Sequence, residues 1–416
     1  MIKNIFLLNL NLKNFFKITS PKFFIILISF SIVIYFFWLL KLLNDFPWRY
    51  VFTDWIINYK GGYIRRGLIG ELSTSLSAFL SINIKYIFFI IHFFIYSLFH
   101  YFFYKFFSIF KKNYLFYGLC FSPLVFLYPL STFEALARKE IFFITLFLIN
   151  CYFLTKVQSR NIGFLFTNIC FIFSYFIHES SFIFSIFFYL SYYVFLKQHN
   201  FKIKLYEFLI ALMVIIFLGY LLFLPVTESK LLKMISYINE NFFLISRNSG
   251  AISAIHFNTS GVNLFLKDNY ISLKYIIRYL LLSHFIIFFL YIFYLKPFLH
   301  LGKFFNFLCL GCFLSPVFLF LIASDWGRFV YILYNFCLIF TFFCFYQDKQ
   351  IFIEIDQFSI LQKISFKFKV FFALCYVSLW NPKIWFFEDI ELFPLFNVLF
   401  DVLKYSFKYT SIIIQQ

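Results

Sequence analysis

Charge is scarce in this sequence. Of its 416 residues, 13% are Asp, Glu, Lys or Arg, against about 25% in an ordinary soluble domain. A chain so poor in charge cannot cover a globular surface, so a water-soluble fold is excluded. Metal-binding spacings are missing too. The seven His form no HxxxH or HExxH pair, and no metal site is expected. Neither a basic run nor a nucleic-acid module accompanies the net charge of +18, so nucleic acid is not an expected partner. The sequence has no Walker loop, no internal repeat, no low-complexity linker and no small-residue cleavage site after its first apolar run. No motif implies a cofactor. The eight cysteines fall nearly all in apolar runs. Even the Cys309–Cys312 CxxC has no His or acid beside it, so these thiols read as small hydrophobes.

What is abundant is apolar. Hydrophobic residues make up 63% and aromatics 27% of the chain. Runs near 20 residues recur from end to end, each long enough to cross a bilayer core of roughly 30 Å as a helix. Continuous runs such as FFIILISFSIVIYFFWLL (23–40) exclude a barrel, whose strands alternate polar and apolar. The fold class is therefore all-α, a polytopic integral membrane protein of about 11–12 transmembrane helices. Expected spans are 23–43, 86–104, 114–130, 141–155, 163–177, 181–196, 206–225, 279–295, 304–323, 329–346 and 370–387. The tail 392–416 is either a further span or an interfacial helix. The whole of 1–416 reads as one membrane domain, with a long outer, periplasmic loop at 226–278 and local helix in ESKLLKMISYINENFFLI.

Lysines set the orientation. Lys3, Lys13, Lys17 and Lys22 precede the first span, so the N-terminus is expected in the cytoplasm of a bacterial inner membrane. Alternation then makes every predicted inner loop basic. The same alternation puts four polar clusters on the outer face. The first is DWIINYKGGYIRRGLIGEL (54–72), with Asp54, Lys60, Arg65, Arg66 and Glu71. The second is EALARKE, with Glu134, Arg138, Lys139 and Glu140. The third is His178, Glu179 and Ser180. The fourth is SDWGR, with Asp325 and Arg328. Charges at that depth are expensive and face a protein-lined cavity, here expected at the outer face.

Arginine sharpens the reading. The chain has 28 Lys and 8 Arg, and every Arg except Arg160 is predicted outside. A guanidinium grips phosphate or carboxylate through two bonds and keeps its proton. The opposing view is that these Arg merely pair with Asp54, Glu71, Glu140, Glu179 and Asp325 to close polar turns. In the first cluster, Gly61, Gly62, Gly67 and Gly70 suggest a turn into a short helix whose N–H groups favour an anion. One of Arg65 and Arg66 would face the cavity while the other pairs with an acid or a lipid headgroup. Outer-face anions handled inside a membrane point to polyprenyl-phosphate or -diphosphate sugars. Sugar transfer needs a proton acceptor, for which Asp54, Glu140, His178, Glu179 and Asp325 are candidates. It also needs cations on the departing phosphate, for which Lys60, Arg65, Arg66, Arg138, Lys139 and Arg328 are candidates.

A serpentine chain with ARKE after an early span, HES between later spans and SDWGR before a late one resembles the polysaccharide polymerases of the exopolysaccharide and O-antigen type. The likeness covers roughly 130–330. It implies joining of lipid-linked (polyprenyl) oligosaccharide units on the outer face, without a nucleotide sugar, with Arg138, His178 and Arg328 handling the diphosphate lipid. The first cluster has no counterpart in that family. Three alternatives stay open. One is a multi-span glycosyltransferase using polyprenyl-phosphate sugars, a class with an acidic pair in its first outer loop, for which this chain offers Asp45 and Asp54 but no Asp-x-Asp. The others are a lipid-linked sugar flippase or other transporter, and an acyltransferase.

Overall fold

The structure is a computed structural model that describes residues 21–47, 49–110, 114–131, 135–256 and 325–347, with 311–312, 319, 375, 380–382, 391–392, 397 and 399–400 as isolated pieces. The expected spans at 279–295, 304–323 and 370–387, the tail 392–416, the distal part of the 226–278 loop and Glu134 fall wholly or almost wholly outside the described residues.

The described residues are helical apart from one antiparallel pair of two-residue strands, β1 (Trp380–Asn381) and β2 (Glu391–Leu392). Among the described residues, five helices are long and apolar enough to cross a membrane. They are α1 (Pro21–Leu43), α4 (Ile84–Phe107), α8 (Arg160–Ile177), α10 (Leu205–Phe223) and α13 (Trp326–Gln347). Helix α1 opens on a proline at its first position, where the missing N–H costs nothing. Helix α4 is capped by Asn83, whose side chain accepts from the Lys85 amide at 3.1 Å. Between them lie the short helices α2 (Tyr50–Trp55) and α3 (Gly67–Leu80). Helices α7 (Glu140–Leu154) and α9 (Ser185–Gln198) complete the bundle with α8 and α13.

The core is aromatic. Phe24 of α1 packs against Phe103 of α4 and against Phe116 and Phe121. Phe336 of α13 sits among Phe143, Phe147, Phe184 and Phe187. Edge-to-face and offset ring pairs of this kind add to area burial. They hold α13 so deep that 94% of its apolar window is buried, whereas α10 keeps only 11% buried.

One expected span is not a continuous helix. Within 114–130, the chain forms α5 (Tyr114–Cys120), a run of turns through Ser122 and Pro123, and α6 (Tyr128–Ser131). Irregular backbone at membrane depth survives only where protein satisfies it. Here α13 does so: the Tyr334 hydroxyl donates to the Leu119 carbonyl at 2.8 Å, and Asn335 Nδ2 donates to the Leu124 carbonyl at 2.9 Å. The expected span at 181–196 likewise begins as a 3-10 turn, Glu179–Phe182, before α9.

The local helix expected after residue 226 is α11 (Glu228–Asn241), capped by the Thr227 hydroxyl, which accepts from the Lys230 amide. It buries Leu231, Met234, Ile235 and Ile238, the spacing of one helical stripe. It is followed by α12 (Gly250–His256), which packs on α2.

Candidate functional site

The glycines of the first cluster are explained by close approach of the protein's own backbone. A Cβ on Gly61 would lie 1.9 Å from the Lys230 carbonyl oxygen of α11. One on Gly70 would lie 1.9 Å from the Ile57 carbonyl oxygen. The turn therefore folds under α11 and back on itself, then enters α3 as the sequence suggests. The glycines serve this packing, and the anion-binding role read from them is not needed to explain them.

The same fold aims the charged residues inward. Short α2 buries Asp54, which is 2% exposed. Arg66, in the left-handed region at φ 65°, ends the turn just before α3. Its Nε donates to both carboxylate oxygens of Glu179 at 2.8 Å, and its Nη2 lies 2.5 Å from Oε1. Its Nη1 is 3.7 Å from Asp54 Oδ1. Lys139 is fully buried. Its ammonium donates to the carbonyls of Asp54 at 2.7 Å and Arg66 at 2.8 Å, and sits 3.8 Å from Asp54 Oδ1. Burial alone would raise the Asp54 carboxyl, but Lys139 and Arg66 outweigh it and hold that group below its ordinary value. Glu179 is likewise held low, because Arg66 overcomes the effect of burial. For Lys139 burial wins, and its ammonium is pushed down despite Asp54.

Glu140 stands in the first turn of α7, where the helix dipole favours an acid. Arg328 Nη1 lies 3.2 Å from Glu140 Oε1, and its Nη2 lies 3.1 Å from Asp325 Oδ2. On the other side His178 Nε2 is 3.8 Å from the same Glu140 oxygen. His178 Nδ1 accepts from the Ser180 amide at 3.1 Å. A ring nitrogen that accepts a backbone N–H carries no proton, so the neutral ring bears its hydrogen on Nε2, facing Glu140. Burial first, and then Arg66, push His178 down to about 4, so it is neutral near pH 7.

Charges far apart in sequence thus meet at one end of the bundle. Asp54, Arg66, Lys139, Glu140, His178, Glu179, Asp325 and Arg328 form a connected network, buried except for the part-buried Arg66–Glu179 pair. Arg138 joins Glu140 and Arg328 in lining a cavity of about 10 Å³, room for about one water. Its guanidinium lies 4.6 Å over the Tyr50 ring. Two residues of the expected set are not in the network. Lys60 pairs with Glu71 at 2.9 Å in a partly exposed bridge. Arg65 makes no ion pair among the described residues, and its buried Nε has no hydrogen-bond partner there. Of the adjacent arginines, then, Arg66 takes the acid and Arg65 does not.

The charge balance matters chemically. Four cations (Arg66, Arg138, Lys139, Arg328) face four carboxylates (Asp54, Glu140, Glu179, Asp325). Arg66 and Lys139 are saturated by protein partners, which fits them for fixing the site. Both Glu140 oxygens lack a hydrogen bond of good geometry, although Arg328 is near. Burial alone would raise the Glu140 carboxyl, but Arg328 and then His178 outweigh it and hold the group below its ordinary value, so it stands as a charged carboxylate with oxygens open to accept a proton.

Sequence reasoning missed the other cavity residues: Tyr35, His92, Tyr96, Tyr128 and Tyr331. The available signal was His92, an ionisable group inside an apolar run. Among the described residues no group of three or more His, Cys, Asp or Glu is arranged to hold a metal ion. No family model, no curated protein and no solved structure matches the chain.

Proposed function

We propose that this protein transfers sugar from a polyprenyl-(di)phosphate carrier at the outer face of the bacterial inner membrane, in the manner of the polysaccharide polymerases that its ARKE, HES and SDWGR motifs resemble. The observation that carries this reading is the meeting of four sequence-distant polar clusters in one connected network, in which His178 and Arg328 flank the buried Glu140 carboxylate.

In this reading Glu140 takes the proton of the acceptor hydroxyl as that oxygen attacks the anomeric carbon. The sugar–phosphate C–O bond breaks, and its electron pair leaves on the phosphate oxygen. His178 Nε2–H orients Glu140, and Arg138 and Arg328 offset the charge that develops on the leaving group. Arg65, which makes no ion pair among the described residues, takes the carrier's phosphate. The cavity has room for about one water, so it must widen when reactants enter.

One observation favours a second reading, a multi-span glycosyltransferase using a polyprenyl-monophosphate sugar. Asp54, in the first loop, belongs to the network, and the balance of four cations and four carboxylates leaves little surplus charge for a diphosphate. The other first-loop acid, Asp45, pairs instead with the half-exposed Arg49.

Deletion in the native host, followed by analysis of surface polysaccharide and of lipid-linked intermediates, tests the proposal. The polymerase reading predicts single repeat units and accumulated lipid-linked units. The second reading predicts a repeat unit short of one sugar. Unchanged polysaccharide and unchanged lipid-linked pools would overturn both, and accumulation confined to the cytoplasmic leaflet would replace them with a flippase.

A further inference from the structure

Two polar chains run between α1 and α4, and the mechanism above uses neither. In one, the Tyr35 hydroxyl lies 2.5 Å from His92 Nδ1, and His92 Nε2 lies 3.4 Å from the Arg138 carbonyl oxygen. In the other, the Tyr96 hydroxyl, the Ser31 hydroxyl and His100 Nε2 follow at 3.3 and 3.1 Å, and His100 Nδ1 is 2.8 Å from the Tyr96 carbonyl. A carbonyl only accepts. His92 must therefore donate from Nε2 to Arg138 and accept at Nδ1 from Tyr35. The second chain closes on α4 itself, whereas the first reaches out of the helices to the active segment.

That segment is strained. Ala137, a residue with a Cβ, sits in the left-handed region at φ 57°, a conformation that persists only where its surroundings over-determine it. Two clamps do this. Trp55 Nε1 donates to the Ala137 carbonyl at 2.6 Å, and His92 holds the next carbonyl, that of Arg138. The indole and imidazole also pack on each other, with centroids 5.0 Å apart. The clamped turn delivers Arg138 and Glu140 to the cavity that His92 and Tyr35 also line.

We infer that Tyr35 and His92 are positioning residues: through the Arg138 carbonyl they fix the Ala137 turn, and so set Arg138 and Glu140 for the transfer proposed above, on which the functional part of this inference rests. Tyr35 fixes the imidazole, and the imidazole fixes the carbonyl.

The test uses the full chain in lipid nanodiscs. Arg138 is modified with phenylglyoxal, its rate is read by peptide mass spectrometry, and the unfolding temperature is measured alongside. Tyr35→Phe is expected to raise the Arg138 rate severalfold with the unfolding temperature nearly unchanged, and His92→Leu to raise it severalfold with a lowered unfolding temperature, since it leaves the Arg138 carbonyl without that donor. His92→Gln, which keeps an N–H for the carbonyl, is expected to restore the wild-type rate. An unchanged Arg138 rate in Tyr35→Phe overturns the inference even if His92→Leu does not fold. Failure of His92→Gln to restore the rate overturns it as well. If the Arg138 rate responds as expected but polysaccharide chain length does not depend on Arg138, the positioning stands and the sugar-transfer reading fails. If chain length depends on Arg138 but its rate ignores Tyr35 and His92, the reverse holds.

Discussion

Glu140 has the Arg328 guanidinium 3.2 Å and the His178 imidazole 3.8 Å from one of its oxygens, and its own protonation state decides what the site can do. Replacing it with Gln keeps the shape and removes the proton acceptor. Product formation is expected to fall by about 100-fold or more, while the bundle stays folded. Arg138→Lys and Arg328→Lys replace a planar fork with a point charge that cannot bridge two oxygens. Each is expected to abolish long-chain polysaccharide, scored by gel; wild-type chain length in both would remove them from the mechanism. Glu179→Gln should act differently, because it takes from the part-buried Arg66 guanidinium its main acid and leaves Asp54 at 3.7 Å, at a cost of about 1–3 kcal/mol of stability.

Acid should weaken the same cluster. Burial first, and then Arg66, push His178 down to about 4 in the folded protein from the 6.5 of a free imidazole, so the unfolded state binds more protons between those values. Stability is then lost as pH falls through that window, by about 1 kcal/mol between pH 7 and 5.5. Asp54 and Glu179, both held low, add a further loss below about pH 4. Unfolding temperature against pH checks the sign, and His178→Gln should flatten the upper part of the curve.

At the scale of elements, the chain's departures from regular helix are where distant segments meet. The broken stretch between α5 and α6 depends on Tyr334 and Asn335 of α13, more than 200 positions along the chain. Asn335→Leu leaves the buried Leu124 carbonyl without that donor and should cost about 1–3 kcal/mol. Gly61→Ala drives a methyl into the Lys230 carbonyl of α11, for about 1–3 kcal/mol, measured as a fall in unfolding temperature. These elements also mark what the sequence could and could not tell. Long apolar runs made α1, α4, α8, α10 and α13 legible, since length and composition alone decide them. The α11 stripe was legible from its spacing. The break inside 114–130 was not, because its compensation lies in another helix. The role of the glycines was not legible for the same reason: close approach to a carbonyl and close approach to a phosphate need the same missing side chain.

At the scale of the molecule, the convergence of clusters was readable from residue type and predicted sidedness, because buried charges must find partners. Their pairing was not: nothing local says that Arg66 takes Glu179 while Arg65 takes no acid, or that His178 faces Glu140 through Nε2. The tyrosines and His92 around the cavity were hidden among 30 Tyr and 7 His. Sidedness itself is open to test. A reporter fused after Lys60, beside the network, is expected to report the outer compartment, and a cytoplasmic signal would refute the outer-face reading.

The most direct measurement places the purified full chain in nanodiscs with polyprenyl-diphosphate-linked repeat units and follows formation of the new glycosidic bond by mass spectrometry. Wild type is predicted to join units and release polyprenyl diphosphate, and Glu140→Gln, equally well folded, to lose that activity by about 100-fold or more. Equal product from both proteins, or none from wild type with either a diphosphate- or a monophosphate-linked donor, would contradict sugar transfer at this site.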